Sequence, residues 1–147
     1  MTEPRTSKSH PLRIDEGQVP GPGRLGMTFA PGKVQPDARS GAWARNLEDD
    51  LRALVEGFGA TVLVTALESH ELGDLQVSQL PERAIAHGMT SVWVSIPDGG
   101  VTPKDEELWR LVCRIRTAVR SGEHVVVHCK GGLGRTGMIV ACVLTTF

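Results

Sequence analysis

Tyrosine is absent from the 147-residue chain, and three Phe and three Trp bring the aromatic share to only 4%. The core must therefore be built from Val, Leu, Ile and Ala. Cysteine is scarce and odd in number, at three. That excludes a disulfide scaffold and fits a reducing, cytoplasmic setting in which each cysteine is judged alone. There is no basic excess, because 16 Lys and Arg face 17 Asp and Glu for a net charge of −1. Nucleic acid is thereby excluded as a default partner. No apolar run approaches the ~18 residues of a membrane span; the longest candidate runs from Met138 to Leu144. Met1 to His10 is polar, contains Pro4 and lacks the apolar centre of a signal peptide. It reads as a flexible tail (1–10) ahead of one domain (11–147). His10, His70, His87, His124 and His128 show no ligand spacing, so neither a metal nor another cofactor is expected. What remains is a chain of ordinary globular composition, 40% hydrophobic, long enough to bury roughly 70% of its extended surface in a single domain.

Proline and glycine are unevenly spread. Six of the nine prolines precede residue 37, which predicts a loop-rich first third with short extended pieces at Leu12–Asp15 and Leu25–Phe29, paired as edge strands across a Gly and Pro turn. From Asn46 the pattern becomes regular. Asn46 is a suitable N-cap, Glu48, Asp49 and Asp50 fill a first turn, and Leu47, Leu51, Leu54, Val55 and Phe58 recur at helical spacing until Gly57 and Gly59. Thr61 to Thr65 reads as a strand, and the polar stretch through Asp74 reads as a loop. Pro81 opens a short helix towards His87, closed by Gly88, and Thr90 to Ile96 is the next strand. Thr102, Pro103 and Asp105 resemble a capping box. The apolar stripe of Leu108, Leu111, Val112, Ile115, Ala118 and Val119 then predicts a helix ending at Gly122. His124 to His128 has the continuous apolar character of a buried central strand, and Arg135 to Phe147 is helical. Alternation of this kind implies an α/β fold, with a mostly parallel central sheet and helices on both faces.

Chemistry concentrates between the last strand and the last helix, in His128-Cys129-Lys130-Gly131-Gly132-Leu133-Gly134-Arg135-Thr136. A strand, a glycine-rich turn and a helix N-terminus direct successive backbone N–H groups at one point, where a tetrahedral oxyanion fits. Gly131, Gly132 and Gly134 let the backbone approach such a ligand without a Cβ. The same N–H groups stabilise a thiolate on Cys129. The planar fork of Arg135 suits phosphate oxygens whose charge shifts in a transition state, and the Thr136 hydroxyl is placed to assist sulfur as a leaving group. Cys113 and Cys142, inside helical segments, read as small apolar residues. A phosphoryl transfer to Cys129 also needs an acid. Asp98, in Ile96-Pro97-Asp98-Gly99-Gly100 after a strand end, is the candidate, and Asp105 the second choice.

These residues resemble the signature of the cysteine-dependent protein phosphatases, the protein-tyrosine and dual-specificity superfamily: His-Cys, five residues, Arg, then Ser or Thr. A chance match in a chain of this length is roughly one in a million from residue frequencies. Pro97-Asp98 resembles the mobile acid loop of that superfamily, with Ile96 where Trp is familiar. Leu25 to Lys33, Trp43 to Leu54, Pro97 to Gly100 and the Gly-Gly-Leu-Gly interior of the loop resemble the kinase-associated phosphatase, or cyclin-dependent kinase inhibitor 3, family, with Ala30 where many relatives carry Cys.

The resemblance implies a dual-specificity-phosphatase-like fold and a phosphoprotein phosphatase acting through a phosphocysteine. Cys129, Arg135, Asp98 and Thr136 are then catalytic, Lys130 to Arg135 hold substrate, and His128 orients the loop from behind. It also implies a phosphorylated protein or peptide as partner, and leaves physiological substrate and oligomeric state open. Relatives continue with further helices, so the chain reads as truncated within its last helix, or as an unusually short domain whose Ile139, Val143 and Phe147 face is thinly covered. Two other readings compete. A scaffold that binds phosphopeptides without turnover is disfavoured by the full catalytic set, and a phosphoinositide phosphatase by Leu133 at the place of a second loop lysine.

Overall fold

The computed structural model describes residues 3–97, 105–131 and 133–147. Five strands form one sheet: β1 (Asp15–Gly17), β2 (Arg24–Thr28), β5 (Val62–Thr65), β6 (Thr90–Trp93) and β7 (His124–His128), in the order β1-β2-β7-β5-β6. Only β1 runs antiparallel; β2, β7, β5 and β6 are parallel to their neighbours. A short ribbon, β3 (Val34–Gln35) with β4 (Trp43–Ala44), stands apart from the sheet. The helices are α1 (Leu47–Ala53), α2 (Ser69–Asp74), α3 (Leu80–Ala86), α4 (Asp105–Arg120) and α5 (Gly134–Leu144).

Strand alternation sorts the core into two layers. Val62, Val64, Val92 and Val125 line a small cavity with Leu111, Ile115 and Ala118 of α4, and α5 packs beside α4 on β2 and β7. Their neighbours Gly26, Leu63 and Val126 point to the other side. A Cβ on Gly26 would lie 3.0 Å from Phe58, in the turn Leu54–Phe58 that follows α1; α1 packs on α3, and α3 on β6. The three central valines of β7 are fully buried, as a strand flanked by parallel neighbours and covered on both faces requires.

Several expectations are corrected. β2 is not an edge strand: it lies between β1 and β7, because Leu25 and Thr28 are buried and its second edge finds a parallel partner. Its hairpin partner is Asp15–Gly17 rather than Leu12–Asp15. The stretch read as loop before Asp74 contains α2, which forms because Glu68 and Glu71 cap it reciprocally. β6 stops at Trp93 instead of Ile96, since its partner β5 ends at Thr65 and only Val94 N–H still reaches it, at 2.9 Å. Helix α1 continues through a π-turn over Leu54–Phe58 and past Gly57, ending at Gly59 with φ 74°. Asp50 stands in the first turn of α1 as expected, and it is 1% exposed. The expected thin cover over the last helix is not found at Ile139 and Val143, which are fully buried towards the sheet, while Phe147 is 40% exposed. The capping box at Thr102 and Pro103 lies outside the described residues. Among the described residues no helix is long and apolar enough to cross a membrane.

The turn into β2 brings backbone against backbone. A Cβ on Gly23 would lie 2.1 Å from the Val119 carbonyl oxygen and 2.6 Å from that of Glu123. Gly23→Ala is therefore expected to cost about 1–3 kcal/mol or more in urea unfolding, as overpacking does, whereas Gly57→Ala, where a Cβ meets nothing within 4 Å, should not.

Candidate active site

The glycine-rich turn leaves the sheet at the C-terminal end of β7, its central strand, and enters α5 at Gly134. That is where parallel α/β sheets place their ligand sites. Cys129 immediately follows the strand and is 3% exposed. A Cβ at Gly131 or Gly134 would meet nothing within 4 Å, so their small size is not demanded by packing and leaves open space against the loop. Leu133 is 83% exposed on its rim. Gly132 lies outside the described residues.

Two carbonyls fix the loop's first peptides. The Cys129 carbonyl accepts from His128 Nδ1 at 3.1 Å, while His128 Nε2 lies 2.8 Å from Thr65 Oγ1 on β5. A carbonyl can only accept, so Nδ1 carries the proton and the Thr65 hydroxyl donates to Nε2. The Lys130 carbonyl accepts from Ala30 N–H at 3.2 Å and from Lys33 Nζ at 3.3 Å. In a trans peptide the following N–H points opposite to the carbonyl. Holding both carbonyls against the protein therefore turns the N–H groups of Lys130 and Gly131 the other way. The protein's own contacts thus set the direction of these backbone donors.

Arg135, in the first turn of α5, is 6% exposed. Its Nη1 and Nη2 donate to the two carboxylate oxygens of Glu71 at 2.5 and 2.9 Å, and Nη1 also donates to the Ile96 carbonyl at 2.9 Å. Burial pushes the Glu71 carboxyl up, but the bond from Arg135 and the Glu68 N–H outweigh it and hold the pKa below the ordinary value. The pair is thus doubly ionised, planar and bidentate. Glu71 is the residue that the sequence does not single out. The signal was there in Glu68-x-x-Glu71 followed by Leu72 and Leu75, but glutamate is an unusual N-cap. Thr136 is fully buried and its hydroxyl has no hydrogen-bond partner among the described residues, so in this arrangement it makes none to the Cys129 sulfur. Asp98 lies outside the described residues, two positions beyond the Ile96 carbonyl that Arg135 holds. Among the described residues no cluster of His, Cys, Asp or Glu could hold a metal ion.

Behind the loop, burial pushes the His128 imidazole down to about 4, helped by nearby Arg135 and opposed by its bond to the Cys129 carbonyl. The folded chain keeps the ring neutral to about pH 4, whereas the unfolded chain takes up the proton below the ordinary 6.5. The unfolded state binds more protons across that window, so stability is fully present above 6.5 and lost as pH falls towards 4. The loss sums to roughly 3 kcal/mol at about 1.4 kcal/mol per unit. Urea midpoints measured across the window should fall with acid in the wild type and less steeply in His128→Asn.

The family model described as a polymorphic toxin system DSP-PTPase phosphatase matches residues 39–147. Cyclin-dependent kinase inhibitor 3 of Rattus norvegicus is 30% identical over 120 residues, covering 82% of this chain and 53% of the relative. The putative tyrosine phosphatase 067L of Invertebrate iridescent virus 3 is 32% identical over 63 residues, 40% of this chain and 26% of its own. The chain thus spans about half the length of the cyclin-dependent kinase inhibitor 3 relatives it matches. Among solved structures, a kinase associated phosphatase with its catalytic site cysteine substituted by serine superposes with a TM-score of 0.80 at 23% identity, over 93% of this chain and 75% of that one. PTPMT1 does so with a TM-score of 0.59 at 22% identity, over 82% and 66%. These likenesses place the mostly parallel sheet within the dual-specificity phosphatase fold. By the match over residues 39–147, this chain belongs to the DSP-PTPase phosphatase family of polymorphic toxin systems.

Proposed function

We propose that the protein is a metal-independent phosphomonoesterase of the dual-specificity type, which removes phosphate from a phosphorylated protein or peptide through a phosphocysteine. The observation that carries this reading is the placement of Cys129 at the end of the central strand, before a turn whose carbonyls are held back and whose Arg135 is locked by Glu71. Cytoplasmic surroundings suit a thiolate nucleophile, which oxidising ones would consume.

In this mechanism the Cys129 thiolate attacks phosphorus while the bond to the leaving oxygen breaks, and Asp98 gives that oxygen its proton. The negative charge of the transferring phosphoryl group is met by the loop N–H groups and the Arg135 guanidinium. Asp98, now a carboxylate, takes a proton from the water that attacks the phosphocysteine. The P–S bond breaks, the Thr136 hydroxyl donates to the departing sulfur, and inorganic phosphate leaves. His128 acts as a positioning residue by holding the Cys129 carbonyl.

An aryl phosphate should be hydrolysed in the presence of chelator, and Cys129→Ser should abolish turnover while retaining the anion site. Turnover surviving that substitution, or binding of a phosphopeptide with no release of phosphate by the wild type, would overturn the proposal. Asp98→Asn should slow esters of poorly acidic alcohols by about 10²–10⁴, the usual worth of a general acid, and esters of acidic phenols far less. Equal slowing along the leaving-group series would remove Asp98 from its role.

A further inference from the structure

Lys33 is a buried cation that this chemistry leaves unused. It is 5% exposed, in the connection between β2 and β3. Its Nζ stands 4.6 Å from the ring centroids of both Phe29 and Trp43, which themselves are 5.1 Å apart. The charges around it are mostly of its own sign. Arg5 covers Trp43 at 3.6 Å, and the Arg45 guanidinium lies over Phe29 at 4.8 Å. Arg45 is neutralised by Asp50 through bonds of 2.8 and 3.0 Å, and His10 meets the Trp43 ring edge-on. Lys33 itself has no carboxylate within ion-pair distance among the described residues.

An ammonium taken out of water needs compensation. Here it comes from two ring faces and from the Lys130 carbonyl. Burial, followed by repulsion from Arg5, Arg45 and Lys130, pushes the Lys33 pKa down to about 8, and Cys129 is the group that opposes this. An anion in the turn would oppose it in the same sense. The ammonium is thus held beside the glycine-rich loop, on the Lys130 carbonyl.

We propose that Lys33 is a further positioning residue of this phosphate site: its ammonium, seated on Phe29 and Trp43, clamps the Lys130 carbonyl so that Gly131 N–H faces the anion, and adds positive charge on the Cys129 side of the loop. The proposal rests on the phosphatase reading of the site. The backbone already ties the two segments, through Ala30 N–H to the same carbonyl at 3.2 Å and Arg45 N–H to the Lys33 carbonyl at 3.2 Å. The loop therefore survives loss of the side chain, and the clamp is what is tested.

Wild type, Lys33→Met and Lys33→Arg are compared for aryl phosphate hydrolysis as a function of pH, with melting temperatures alongside. A direct donor to a transition-state oxyanion is worth about 10²–10³ in kcat, so a group one step removed should cost roughly tenfold in kcat/KM near neutral pH in Lys33→Met. The wild type should show a falling limb with its inflection near 8. That limb should vanish in Lys33→Met and move to higher pH in Lys33→Arg, which keeps its charge and stacks on the rings, and so keeps most of the activity. Lys33→Met should melt at or above the wild-type temperature, since a penalised buried charge is removed. Wild-type kcat/KM with an unchanged limb in Lys33→Met overturns the proposal, as does equal loss in both variants together with lowered melting temperatures. An inactive wild type would overturn the phosphatase reading instead. In that event calorimetry of tungstate binding to Cys129→Ser, with and without Lys33→Met, decides: about tenfold weaker binding supports the clamp, and equal affinity overturns it.

Discussion

Glu71 and Arg135 hold each other across 64 residues of sequence, through two hydrogen bonds in a place almost without water. Each ion alone would pay a desolvation cost of several kcal/mol, and mutual attraction offsets that cost only when geometry is close and the remaining valences are filled. Here Glu71 also receives the Glu68 N–H, and Arg135 also donates to the Ile96 carbonyl. Three separate pieces of chain, α2, the segment after β6 and the first turn of α5, are thereby fixed to one another. Removing one partner of such a pair leaves an uncompensated charge and commonly costs about 3–5 kcal/mol. The orientation of the guanidinium is therefore settled by the fold itself.

The same division between what holds and what reacts recurs along the loop. His128, neutral and fully buried, spends its single N–H on the Cys129 carbonyl. Ala30 and Lys33 do the same for the Lys130 carbonyl. The turn lacks side chains at Gly131 and Gly134, so its shape is imposed from outside, by β5, by the β2 to β3 connection and by α2. Preorganised donors of this kind stabilise developing charge without reorganising at the moment of reaction.

The features legible in the sequence are those whose causes are local. The strand of valines, the glycine turn and the cysteine-to-arginine spacing lie within a dozen residues, and each follows from backbone geometry that a short stretch determines. The helix start at Asn46 is equally local, and its side chain accepts the Asp49 N–H as expected. Glu71, Lys33 and Asp50 were not legible as supports, because a glutamate in a polar stretch or a lysine after a glycine carries no mark of the distant group it meets. Lys33 and its Lys130 partner are 97 residues apart. The internal position of β2 was hidden for the same reason: its proline-rich flanks describe the turns around it and not the strand that arrives a hundred residues later.

That long separation in sequence is closed by a single strand. β2 pairs with β1, and β5 with β6, yet β2 and β5 never touch as neighbours; β7 lies between them and is bonded to both. Among the described strands, β7 is the one that joins the two halves of the sheet. Pairings of such long sequence separation form slowly, since the entropy of closing the chain is paid before the contacts repay it. The pairing of β7 closes the sheet, buries its three valines and carries Cys129 and Arg135 to their supports. The integrity of the sheet and the shape of the loop are therefore one property, and a change that loosens β7 loosens both.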